Sequence, residues 1–234
     1  MCKHMVTRSG VNFVTLTRLV IASTLIAIPN IGAALDLSTI TDAETALLPR
    51  YCAYSKSFPG NSAPEAKLWE ARLGQESFKH IHHYCWGLIE LQRARRSSTS
   101  REQAQYLLGA STSDFEYSIR RVAKNFVLLP EMLTRNGEVY LLRSRPNDAS
   151  KSFAQARALK PDYWPAYSSW AEFLMQSGKR AEAKRIVNAG LKYSPNAKVL
   201  REQYRLLGGR STEAAAPLAE HPPADDVSTA NSAK

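Results

Sequence analysis

The chain has 234 residues, 44% of them hydrophobic and 22% charged, which is enough apolar side chain for a packed core and excludes a wholly disordered chain. Lys and Arg number 31 against 21 Asp and Glu, a net charge of +10 that points to acidic partners, namely nucleic acid, anionic lipid or acidic glycan. Three cysteines are too few for a disulfide-dense scaffold.

Residues 1–34 carry Lys3, Arg8 and Arg18 and no acid, followed by the uncharged run Leu19 to Ile28 and then small residues at Gly32 and Ala34. A basic start, a short apolar run and a small-residue exit predict a secretory signal peptide cleaved after Ala34. The apolar run is shorter than the roughly 20 residues that span a bilayer. The expected location is periplasmic or secreted, and the alternative is an uncleaved segment anchored in the inner membrane. Export disfavours nucleic acid as a partner. With Cys2 removed, Cys52 and Cys85 remain, and two readings stay open: one disulfide, or two buried free thiols.

Residues 35–63, with their prolines, Gly60 and "YCAYSKSFPGNS", predict mostly irregular chain. A helical domain is expected over 64–210. "PEAKLWEARLG" and "QESFKHIHHYCWGLIELQRARR" read as a first helix pair. On a helical wheel Ile81, Tyr84, Cys85 and Leu88 share the apolar side, with Cys85 near its middle. His80, His82 and His83 point in three directions. A metal needs convergent ligands, as two histidines at i,i+4 provide. His80 and His83, at i,i+3, offer a weak shared site, so no functional metal is assigned and no cofactor is expected. A metal-binding protein or enzyme centred on this helix is kept as the alternative. "RARRSSTSR", Arg93 to Arg101, reads as a solvated helix C-terminus. "SREQAQYLLGASTSDFEYSIRRVAKNFVLLP" reads as two helices, N-capped by Ser100 and Ser113 and separated at Gly109.

Residues 130–163 and 164–197 then align without a gap at a period of 34. Leu133 matches Tyr167, Gly137 matches Ala171, and Tyr140 matches Leu174. Ala149 matches Ala183, Phe153 matches Val187, Ala156 matches Gly190, and Pro161 matches Pro195. Small and bulky residues alternate at helical spacing, and a proline closes each unit. This pattern resembles the tetratricopeptide repeat, in which each unit is two antiparallel helices. Asn136 and Trp170 depart from it where the family usually has leucine, and Leu133 replaces the usual aromatic. "HHYCWGL" and "LKPDYWPAY" also look like those of a group of exported proteobacterial repeat proteins with no known activity.

The resemblance implies an all-α fold, an α-solenoid of stacked antiparallel helix pairs. About four pairs are expected, with "KVLREQYRLLGG" (198–209) as the cap, since no unit buries its faces alone. It also implies a concave groove lined by the first helix of each pair. The groove positions match Thr134 and Ser168, Glu138 and Glu172, and Leu141 and Met175. Residues 211–234, rich in Ala, Pro, Ser and Asp, predict a disordered tail.

No G-x-S-x-G, no phosphate-binding G-x-x-x-x-G-K and no G-x-G-x-x-G occurs. The expected function is a non-enzymatic exported scaffold that binds a protein or peptide partner in the groove, in envelope or polysaccharide assembly, with acidic glycan as a second partner class.

Overall fold

The computed structural model describes residues 39–210, which fall within one compact unit. The expected signal peptide and C-terminal tail lie outside the described residues. Every described element is helical.

Residues 39–63 are more ordered in local structure than their composition suggests. Helix α1 (Asp42–Ala46) is closed by a reciprocal capping box between Thr41 and Glu44. Two short 3₁₀ turns follow, Arg50–Tyr54 and Pro59–Ser62. Helix α2 (Pro64–Leu73) starts with proline at its first position and stops at Gly74, whose φ of 83° suits glycine.

The helix expected from Gln75 through the arginines is interrupted. A single turn, α3 (Gln75–Phe78), precedes α4 (Ile81–Ala94). The break is held from outside. The Ser118 hydroxyl donates to the His80 carbonyl at 2.9 Å, and the Ala123 amide donates to Ser77 Oγ at 3.1 Å. Helix α2 packs on α3 and the 3₁₀ turns rather than alongside α4, so the first expected pair does not form.

Helix α5 (Arg101–Arg121) corrects a second expectation. Ser100 caps it, accepting from the Gln103 amide at 3.2 Å, but the helix runs through Gly109 to Arg121. Ser113 is no N-cap, because its hydroxyl donates back to the Gly109 carbonyl. A mid-helix glycine costs about 1 kcal/mol. Burying Leu108, Ser111, Thr112, Phe115 and Ser118 outweighs that cost. Helices α4 and α5 therefore form the first pair. Gly87 is their point of closest approach, where a Cβ would lie 2.6 Å from the Phe115 ring.

The second pair is α6 (Leu129–Leu142) with α7 (Pro146–Leu159), and the third is α8 (Pro165–Gln176) with α9 (Arg180–Tyr193). Helix α10 (Lys198–Leu206) packs on α8 and α9 as the last helix. The array is thus three pairs and a cap, not four and a cap. The 34-residue period extends to backbone detail. Ser144 and Gly178 both sit in the left-handed region at the turn inside each unit, with φ of 57° and 74°. The amides that follow them close the same bonds, Arg145 to the Tyr140 carbonyl and Lys179 to the Leu174 carbonyl, each at 2.8 Å.

Two buried clusters form the interior. One gathers Tyr51, Cys52, Phe58, Ile81, Tyr84, Cys85 and Phe115 with the start of α6. The other gathers Phe153, Tyr167, Trp170, Leu174, Val187, Leu200 and Tyr204.

Candidate interaction face

Helices α6, α8 and α10 pack in succession, so their outward side chains form one continuous strip. Along α6 that strip carries Glu131, Arg135 and Glu138, spaced i, i+4 and i+7. The Arg135 guanidinium donates to Glu138 at 3.0 Å. The other Glu138 oxygen accepts from Ser169 of α8 at 2.9 Å. Arg135, Glu138 and Ser169 are therefore held in a fixed order across two units. Burial works against its charge, but the carboxylates of Glu138 and Glu131, with Tyr84 close by, outweigh it and keep Arg135 firmly charged. Glu172 follows on α8, exposed and accepting from Gln176 at 3.4 Å.

The expected groove residues divide. Thr134 and Ser168 are 2% and 7% exposed and present no side chain to a groove. The Thr134 hydroxyl is spent on the Pro130 carbonyl at 2.8 Å, and the Ser168 carbonyl accepts from Gln203 of α10. Leu141 and Met175 are half-buried against the C-terminal cluster. Glu138 and Glu172 reach solvent, but Glu138 reaches across to Ser169, so the carboxylates are not equivalent in their partners. Arg135 and Ser169 were not foreseen, although the α6 spacing Glu131, Arg135, Glu138 was visible in the sequence.

Residues 39–63 extend the first-helix strip at its N-terminal end. The sulfurs of Cys52 and Cys85 lie 2.04 Å apart and the Cα atoms 5.6 Å apart, both side chains fully buried. This link fixes the segment on α4. Beside it the hydroxyls of Tyr51 and Tyr84 both donate to Glu131 of α6, at 3.5 and 2.9 Å. Burial, with Glu131 close by, raises both phenols well above their usual range. Further along, Arg93 and Arg96 close on the buried Glu44 carboxylate at 2.5–3.0 Å. Hydrogen bonds from Arg93 hold that carboxyl down at about 2. The arginine run expected to be a solvated helix end is thus in part a clamp on α1.

The histidines lie on the other side of α4. His83 Nδ1 is 2.6 Å from Asp114 of α5. The His83 ring also packs at a tilt against Tyr117, which carries the Arg121 guanidinium at 3.7 Å from its centroid. His82 is buried, its Nδ1 without a partner, and burial lowers it to about 4. Burial pushes Glu90 up to about 8, with Asp114 adding to the rise. Among the described residues no three His, Cys, Asp or Glu side chains come together as metal ligands. Helix α5 covers the side of α4 that a wheel leaves to solvent, so Gly87 and Glu90 are buried there.

Residues 140–203, from the end of α6 into α10, match the family model of the tetratricopeptide repeat. No curated protein and no solved structure gives a significant match to the chain. Among the described residues, no helix is long and apolar enough to cross a membrane.

Proposed function

We infer that this chain, a tetratricopeptide repeat protein, serves as an interaction scaffold that takes a protein or peptide partner along the outward strip of α6 and α8. Repeats of this family are generally non-catalytic interaction modules. The observation that carries the assignment to this strip is the Arg135–Glu138–Ser169 chain, which holds polar groups across two adjacent units beside the exposed Glu172. Groups already ordered lose little conformational entropy when a partner arrives. The carboxylates suit a basic or amide group, and Arg135 suits a carboxylate or a backbone carbonyl.

Export fits the same picture. The basic, apolar, small-residue order of residues 1–34 argues for cleavage near Ala34 and a periplasmic or secreted scaffold. Envelope or polysaccharide assembly is the setting in which its basic body would also meet acidic glycan.

The test replaces Glu138 and Glu172 with glutamine. Glutamine keeps an acceptor for Ser169 and gives up only a half-exposed ion pair, so the melting temperature should shift little, by less than about 1 kcal/mol of stability. Crosslinking to the physiological partner in intact cells should fall. Unchanged crosslinking with the double variant would remove this strip as the site.

A further inference from the structure

The positive charge of the chain is concentrated at one end of the array. Between Lys179 and Arg210, the stretch that forms α9 and α10, nine Lys and Arg stand against two Glu, a net +7 compared with +10 for the whole chain. The 34-residue period shows where part of this charge points. Continued past Pro195, it puts Arg201 at the place of Leu133 and Tyr167, and Arg205 at the place of Gly137 and Ala171. In the complete units those places face the second helix of the pair: Gly137 lies against the Phe153 ring, and Tyr167 against Gly190. Helix α10 is the first helix of a unit whose second helix does not follow among the described residues. Both arginines are therefore exposed where their equivalents are packed.

Contacts on the two flanks of α10 fix the direction. Gln203 donates to the Ser168 carbonyl of α8 at 3.1 Å. On the other flank Lys184 of α9 lies 5.3 Å from the Tyr204 ring centroid and donates to the Gly208 carbonyl at 3.5 Å. Lys198, Arg201 and Arg205 fall within about 60° of one another on the part of the outward face nearer α9, and all three are exposed. Lys192 is exposed at the end of α9 that leads into α10. An open trough thus runs along the α9–α10 seam, edged by Lys184, Lys192, Lys198, Arg201 and Arg205. Arg205 also pairs with Glu202 at 2.6 Å, but an exposed pair of this kind is weak and leaves the net charge of the seam strongly positive.

We propose that the α9–α10 seam binds a linear acidic polysaccharide, its sugar carboxylates set against these cations. Three observations select that class of polyanion. The trough is lined by cations and holds no large exposed apolar side chain. Val199 and Leu206 lie about 100–120° round α10 from Arg205, so the seam offers no platform for stacking a base and no wedge for a lipid surface. The cations on α10 follow at axial steps of about 4.5 and 6 Å, a spacing that suits one carboxylate per sugar better than the charge of a duplex, one per about 1.7 Å of axis. The trough is open along its length, as an extended chain requires. The setting rests on the exported-scaffold reading, but no residue of the α6–α8 strip takes part.

Fluorescence anisotropy of an end-labelled oligogalacturonate titrated with the full chain tests it. Binding should weaken by about tenfold or more when salt rises from about 0.01 to 0.15 M, and the methyl-esterified oligosaccharide should not bind. Lys198→Glu with Arg201→Glu, at exposed positions and with folding checked by circular dichroism, should weaken binding by about tenfold or more. Glu138→Gln with Glu172→Gln should leave it within about twofold, so that loss of glycan and loss of the strip's protein partner are read separately. The proposal is overturned by equal binding of the methyl ester, by unchanged affinity in the Lys198/Arg201 variant, or by tighter binding, dependent on Lys198 and Arg201, of an oligothymidylate or of phosphatidylglycerol vesicles. The chain's own acids at Glu213, Glu220, Asp225 and Asp226 are a further occupant. If the wild type fails to bind and a chain with these four changed to their amides succeeds, the seam belongs to that segment and the proposal falls.

Discussion

Gly137 and Phe153 show how closely the second helix pair is fitted. A Cβ built on Gly137 lies 2.9–3.1 Å from three atoms of the Phe153 ring, and that ring is fully buried. Alanine there gains about 1 kcal/mol of helix propensity. It must also push the ring aside in a packed core, at about 1–3 kcal/mol. Gly137→Ala should therefore destabilise by about 1 kcal/mol net. The next unit solves the same contact differently, placing Ala171 and Val187, both fully buried, at the equivalent positions. Phe153→Val alone opens a hole and should cost about 2–3 kcal/mol. The double variant reproduces the volumes of the following unit, so its loss should fall short of the sum by about 1 kcal/mol or more. Urea denaturation followed by far-UV circular dichroism measures all four proteins. Losses that add to within about 0.5 kcal/mol would refute the reasoning, since the two side chains would then not share one space.

Ser144→Gly should stabilise the protein by about 0.5–1 kcal/mol, because serine there holds a φ of 57° that glycine adopts freely; a lower urea midpoint would contradict this. The Cys52–Cys85 link spans 33 residues, and in the chain-entropy model such a loop is worth about 3–4 kcal/mol; non-reducing peptide mapping of freshly isolated protein should show the crosslinked peptide, and two free thiols would refute it. Glu90, raised to about 8 in the folded chain from the usual 4.5, makes the folded state hold its proton more tightly, so its contribution falls as pH rises from about 4.5 through about 8. Wild type should therefore lose a few kcal/mol relative to Glu90→Gln across that window, at about 1.36 kcal/mol per unit, and parallel stability profiles would contradict the assignment; comparison with the variant removes the opposing change at His82, which favours the fold as pH rises above about 4.

How much of this could be read in advance depends on whether the deciding contacts were local. Helices α6 to α9 were legible because their small and large positions and closing prolines repeat every 34 residues, and each serves a neighbouring helix in the same unit. The break between α3 and α4 was not, because Ser77 and Ser118 hold it through partners some 40 positions away. Gly109 is a fair local signal for a helix end, overruled by burial of the α5 face on α4. The left-handed turn at Ser144 was hidden because serine does not advertise a positive φ, whereas its equivalent Gly178 does. Of the groove positions, Thr134 and Ser168 follow the family pattern in sequence but turn inward here, since short hydroxyls on a close-packed strip find backbone carbonyls or neighbours before they find solvent. Arg135 and Ser169 were missed because only the packing of α6 on α8 joins them through Glu138.

The central claim is that a protein partner contacts the α6–α8 strip. A photoreactive phenylalanine placed at Glu172, exposed on α8, and in a second protein at Arg185, exposed on α9, tests it in intact producing cells. The account predicts a discrete adduct from position 172, diminished when Glu138 is also changed to glutamine, and none from position 185. An adduct from position 185 with none from 172 would contradict it.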